Sequence, residues 1–206
     1  MTHRLHILNA SGMLSKYENL IQEVFESTSL TVVNILNLEN VDTVVRSLPE
    51  YTIPEIGIGG FTPYDGSVIY ISLDPKKKIK KIELIMQFVH EYYHCARFKV
   101  LKNYTSTLGN DIVNEGLACL FEEEITGEKP IYCTQEYTKK EVDEATQLFL
   151  DQNYDRSKWM FGKKGVSRWF VYSYGYDICK RYITSKNLKS SDIYGIESSM
   201  ILSQKS

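Results

Sequence analysis

Lys76–Val100, KKKIKKIELIMQFVHEYYHCARFKV, contains neither glycine nor proline. Without breakers, the stretch predicts a helix of about six turns. Its start, Lys76 to Lys81, reads as a solvated helix entry, although positive charge opposes the helix dipole there. From Leu84 to Phe98 the run is apolar nearly all round, as a helix buried in a core is. Into that run are set His90, Glu91 and His94. Buried polar groups need partners, so three of them in mid-helix call for a chemical reason.

Their spacing supplies one. His90-Glu91-Tyr92-Tyr93-His94 is an H-E-x-x-H motif within a predicted helix, the context that motif requires. Residues four apart sit one above the other, so both imidazoles can face one ion. Glu91 is turned about 100° from His90 and can reach a metal-bound water without ligating the metal. Zinc lowers the pKa of such a water to about 7, where a neighbouring carboxylate can take its proton. Zinc also suits a His₂Glu donor set best among the common metals. The Cys95 thiol follows His94 directly, but its helix angle turns it away, so it reads as a buried thiol.

A catalytic zinc site needs a third protein ligand. No histidine follows His94, and His3 and His6 read as incidental. The third donor must therefore be a carboxylate or a thiolate. Glu115 is the leading candidate, a single acid among Ile112, Val113, Leu117 and Leu120 on a second apolar helix expected from about Asn110 to Ile125, closed by Gly127 and Pro130. On the same face, at i−4 and i+7, Asp111 and Glu122 could orient a ligand. As a group, Glu122, Glu123 and Glu124 read as solvated.

The flanks complete the expected architecture. Ser15 to Glu26 has the apolar spacing of an amphipathic helix, Thr31 to Leu36 is β-branched and reads as a strand, and Asn40 to Leu48 reads as a short helix ended by Pro49. Glu55 to Pro75 has Pro63-Tyr64-Asp65-Gly66 turn chemistry before an alternating Ser67 to Leu73, the pattern of a hairpin. After the second apolar helix come a polar helix from Tyr137 to Gln152 and an aromatic one from Arg168 to Ile183. Strands first and helices afterwards argue α+β. With 206 residues, no internal repeat and no low-complexity linker, one domain over residues 1–206 is expected.

The longer pattern resembles a known group. H-E-x-x-H followed some twenty residues later by N-E-x-x-A resembles the gluzincin, thermolysin-like arm of the metallopeptidases. HEYYH, NEGLACLFEEE and VYSYGYDIC, across roughly Ile56 to Ile183, resemble bacterial proteins identified as predicted Zn-dependent proteases within a domain of unknown function. The resemblance implies a zincin-like fold, a small mixed sheet with an edge strand over an active-site helix, followed by a helical C-terminal half. By matched position it implies one zinc per chain held by His90, His94 and Glu115, with Glu91 as general base. Two tyrosines of the third motif match Tyr172 and Tyr176; Tyr172 is the first candidate for oxyanion donor and Tyr176 the second. Zincins of this kind bind peptide alongside an edge strand, and Ile56-Gly57-Ile58-Gly59-Gly60 has the small residues that permit close approach. The sequence departs from the pattern at Cys119, where gluzincins commonly carry an acid, and at Val171, where the family pattern carries its first glycine.

Composition narrows the partners. The chain is 43% hydrophobic and 24% charged with a net charge of −2, which gives no pull toward nucleic acid or an anionic membrane. No stretch approaches the roughly 20 apolar residues that span a bilayer. Cys95, Cys119, Cys133 and Cys179 form no CxxC pair and no export signal is evident, so reduced thiols and a cytoplasmic location are expected. The expected activity is hydrolysis of a peptide or protein substrate. The alternative is a binding or regulatory module that retains the fold and the metal without catalysis, and the presence of Glu91 argues against it.

Overall fold

A computed structural model describes residues 2–102, 104–163 and 165–204. The chain forms two compact units, Met1–Lys102 and Asn103–Ser206.

The first unit is a mixed sheet with two helices. Strands β1 (His3–Leu8), β2 (Val41–Ser47), β3 (Ile58–Phe61) and β4 (Val68–Leu73) lie in the order β1-β2-β4-β3. The β1–β2 and β2–β4 pairs are parallel, and β3 runs antiparallel to β4 as the expected hairpin. Helices α1 (Glu18–Leu36) and α2 (Lys81–Val100) pack on each other. Along β2, Val41, Thr43 and Val45 are buried while Asp42 is exposed, so one face of the sheet is the core face.

Two expected elements exchange identity. Thr31 to Leu36 is the last part of α1 and not a strand. Its β-branched residues favour a strand, but Ile21, Val24, Phe25, Thr28, Ser29, Val32, Val33 and Leu36 continue one buried stripe of helical period with no breaker until Asn37. Asn37 ends the helix in the left-handed region at φ 48°. Asn40 to Leu48 supplies β2 and not a helix, because Val41, Thr43 and Val45 alternate with period two. Strand β1 had no counterpart in the sequence reading. It takes up the N-terminal segment, with His6 Nε2 2.7 Å from Asp42 Oδ1 on the neighbouring strand. Helix α2 starts at Lys81, about a turn later than the lysine run suggested; the unfavourable dipole of those lysines fits the late start.

The second unit is helical: α3 (Leu108–Thr126), α4 (Lys139–Gln147), α5 (Arg156–Phe161), α6 (Phe170–Lys186) and α7 (Ser198–Leu202). Thr107 caps α3, its hydroxyl accepting from the Asn110 amide at 3.2 Å, and Gly127 ends it in the left-handed region. Helix α4 is shorter than the expected Tyr137–Gln152: a Thr138–Glu141 capping box fixes its start, and it ends already at Gln147. Leu108, Ile112, Ala145, Trp159, Met160, Val166, Phe170, Val171 and Tyr174 form a buried apolar core.

Helices α3 and α6 touch backbone to backbone. A Cβ added at Gly116 would stand 2.2 Å from the carbonyl carbon of Gly175, and one at Gly175 would stand 2.1 Å from the Ile112 carbonyl oxygen. Both glycines belong to the motifs that carry the family resemblance. Val171, the departure from that pattern, is buried in the core and leaves α6 regular from Phe170 to Lys186. Gly116→Ala is therefore expected to force the helices apart at a cost of about 3 kcal/mol, roughly 6–12 °C in thermal midpoint for a chain of this size. A melting scan that finds no change would show that the two backbones do not meet.

Candidate metal centre

Helix α2 presents His90, Glu91 and His94, all buried. The one-turn spacing brings the two rings together: His90 Nε2 lies 2.9 Å from His94 Nε2, with ring centroids 4.5 Å apart and planes nearly perpendicular. His94 stacks on Phe98 one turn later, at 5.6 Å and 9°, which fixes its ring orientation. Phe98 is met edge-on by Tyr64. One ligand atom from each of His90, Glu91 and His94 lies within 4.8 Å of the others, a grouping able to hold a metal ion.

The donor set fits zinc. Two imidazole nitrogens converge on a common point, and ordinary Zn–N distances of about 2.0–2.1 Å allow one ion to touch both. Glu91 stands beside that point but is held from elsewhere. Its Oε2 accepts from the Thr62 hydroxyl at 2.7 Å and its Oε1 from the Gln87 amide at 3.1 Å. Thr62 and Gln87 are also buried. Sequence reading missed both. Gln87 was findable, one turn before Glu91 on the same face. Thr62 was not, since it lies 29 positions away across a hairpin.

The glycine stretch meets the motif at one residue. A Cβ on Gly60 would stand 2.4 Å from Glu91 Oε1 and 2.7 Å from Gln87 Nε2, so only glycine lets β3 pass so near. Part of the outer edge of β3 is already covered, because the Ile53 amide donates to the Ile58 carbonyl at 2.9 Å. On the inner side, the Asp74 amide donates to the Gly57 carbonyl at 2.9 Å. The period of two then turns the N–H and C=O of Gly60 outward, beside the general-base candidate. Within Ile56–Gly60, Gly60 is the residue that lies against Glu91.

Cys95 behaves as expected. Its thiol donates to the Gly66 carbonyl at 3.0 Å, and burial pushes its pKa up to about 12.

The remaining candidates belong to the second unit. Glu115 is buried on α3. At the departure position, burial raises the Cys119 thiol well above its ordinary value, with Cys133 beside it adding to the rise. Asp111 accepts from the hydroxyls of Tyr104 at 2.7 Å and Ser106 at 2.8 Å, and also from Tyr154. It ties the start of α3 to the segments around it.

The solvated reading of Glu122–Glu124 fails at Glu122, while Glu123 and Glu124 are half-buried and partnered. Glu122 is fully buried and accepts from the Tyr132 hydroxyl at 2.6 Å, while Glu124 accepts from the Ser190 hydroxyl at 2.7 Å and the Ser191 amide at 3.1 Å. Glu123 accepts from Tyr176 at 2.5 Å and pairs with Lys180 at 3.0 Å. Short 3₁₀ turns at Ile131–Cys133 and Ser190–Asp192 bring the partners of Glu122 and Glu124 to α3, α6 brings those of Glu123, and nothing in the local pattern announced them.

On α6, the Tyr176 ring is buried, with Lys129 over its face at 4.0 Å. Burial and the Glu123 carboxylate push its pKa upward. Tyr172 is half-buried and packs against Tyr132 at 5.1 Å between centroids.

A family model described as predicted Zn-dependent protease (DUF2268) matches residues 12–203. The chain belongs to that family. The matched span takes in both units and every candidate residue of the site, and leaves only β1 and the chain ends outside. No curated protein and no solved structure matches the chain. Among the described residues, no helix is long and apolar enough to cross a membrane.

Purified without chelators, this family member should carry about one zinc per chain, and His94→Ala should lose most of it. Cys95→Ala should retain it, since that thiol is directed at Gly66. Elemental analysis of the three proteins checks both statements; a folded wild type that stays metal-free in excess zinc would remove the metal reading.

Proposed function

We propose that the chain is a zinc peptidase in which His90, His94 and Glu115 hold the metal and Glu91 is the general base. The observation that carries the reading is a buried carboxylate fixed beside two converging imidazole nitrogens on one helix, in a chain whose family is described as Zn-dependent protease. Bound zinc would supply Lewis acidity, polarising a peptide carbonyl and acidifying water.

The chain's own groups supply the rest. Glu91 accepts the proton of the attacking water and delivers it to the leaving amine. The backbone of Gly60 pairs with an extended peptide at the open part of the β3 edge. Tyr172 donates to the carbonyl oxygen as negative charge develops on it. Tyr176, whose hydroxyl donates to Glu123, is the second choice. The four cysteines, all present as thiols, suit a reducing cytoplasm, and a net charge of −2 favours a peptide or protein substrate over a polyanion.

Glu91→Gln keeps the shape of the side chain and removes its basicity. The variant should bind zinc and fold as the wild type does, and lose roughly 10²–10⁴-fold in hydrolysis. Proteomic mapping of peptides released by wild type and variant, with zinc content measured alongside, tests this; undiminished cleavage by the zinc-loaded variant would sink the mechanism.

Variants of the second unit separate the remaining roles. Glu115→Ala should weaken zinc binding severely, and Glu122→Ala should weaken it only about 10–100-fold. The opposite ranking, read by chelator competition, would transfer the ligand role to Glu122. Tyr172→Phe should retain zinc and lose about 10²–10³-fold in turnover.

A further inference from the structure

We propose that Thr62 is the positioning residue of the Glu91 carboxylate, and that it couples the peptide-binding edge of β3 to the orientation of the base. The inference rests on the peptidase reading given above and adds a residue that neither the motif nor the family description assigns.

The geometry is specific. The Thr62 hydroxyl lies 2.7 Å from Glu91 Oε2 and 3.2 Å from the Glu91 carbonyl oxygen. It has one proton to donate, and the carboxylate oxygen is the closer acceptor, so the proton goes there. Gln87 takes the other oxygen at 3.1 Å. A donor on each oxygen restrains the carboxylate plane in rotation about its last bond.

Thr62 follows β3 directly, and the alternation that turns Gly60 toward α2 turns the Thr62 side chain the same way. A substrate backbone paired at Gly60 would therefore stiffen the segment that carries the donor. Thr62 would tie docking to the readiness of the base without touching the reacting atoms.

Isosteric and conservative variants test the role. Thr62→Val keeps the shape and removes the hydroxyl; Thr62→Ser keeps the hydroxyl. A quenched fluorogenic peptide library identifies a cleaved member for steady-state kinetics. Expected for Thr62→Val is a fall in kcat of roughly 10-fold or more, with KM and zinc affinity close to wild type, and recovery of most of the loss in Thr62→Ser. A direct readout needs no turnover. A threonine hydroxyl proton donated to a buried carboxylate exchanges slowly enough to give a proton resonance, expected in the wild type with and without zinc, absent in Thr62→Val and moved in Glu91→Gln.

Loss of that resonance on zinc loading would overturn the proposal. So would a Thr62→Val enzyme with wild-type kcat, or a Thr62→Ser enzyme no better than Thr62→Val. A wild type that shows no zinc-dependent cleavage brings down the peptidase reading and this role with it. A cleaving wild type matched by Thr62→Val brings down this role alone.

Discussion

A carboxylate taken out of water must be met by donors, and much of the first unit is arranged to meet the one on Glu91. The sheet delivers Thr62 from the end of β3, and α2 delivers Gln87 from one turn earlier. The approach is close enough that β3 can carry no side chain at Gly60. The same helix aims the His90 and His94 nitrogens at one point, and Phe98 holds the second ring from behind. The small sheet thus serves as a rest for the polar stretch of α2 from Gln87 to His94.

In the second unit, backbone contact sets how two helices pack. Gly116 and Gly175 let α3 and α6 cross without intervening side chains. Each glycine is next to a functional candidate: Glu115 precedes the first, and Tyr176 follows the second. The motif glycines are therefore not turn residues. They set the depth at which two helices interlock, and the neighbouring side chains inherit that setting. Val171 shows the complementary freedom: where the family pattern has a glycine, this chain fills the adjacent core with an isopropyl group.

Long helices without breakers were legible in the sequence. α2 and α3 appear close to where apolar continuity put them, and the β3–β4 hairpin was readable from its turn residues. The end of α1 and the strand β2 were not, because β-branched residues serve either state and only the buried period distinguishes them. The metal motif was legible because its residues are neighbours along one helix. Of the groups that hold its base, Gln87 is a neighbour on the helix and Thr62 is not, and the partners of Glu122 and Glu124 also come from other turns. Tyr132, Ser190 and Thr62 give no local signal because each meets its partner only through the fold. Alternation was visible at Ser67–Leu73 and overlooked at Val41–Val45, where the same rule applied.

The four thiols carry a consequence of a different kind. All are buried, Cys95 in the first unit and Cys119, Cys133 and Cys179 in the second. A buried thiol reacts with a disulfide reagent only during excursions that open the segment around it. The native chain is therefore labelled at the frequency of its own local unfolding. Mass mapping of the labelled site would assign each event to one unit. Cys95 directly follows His94, so its labelling rate would time the opening of the very turn that aims the imidazoles, with no engineered probe.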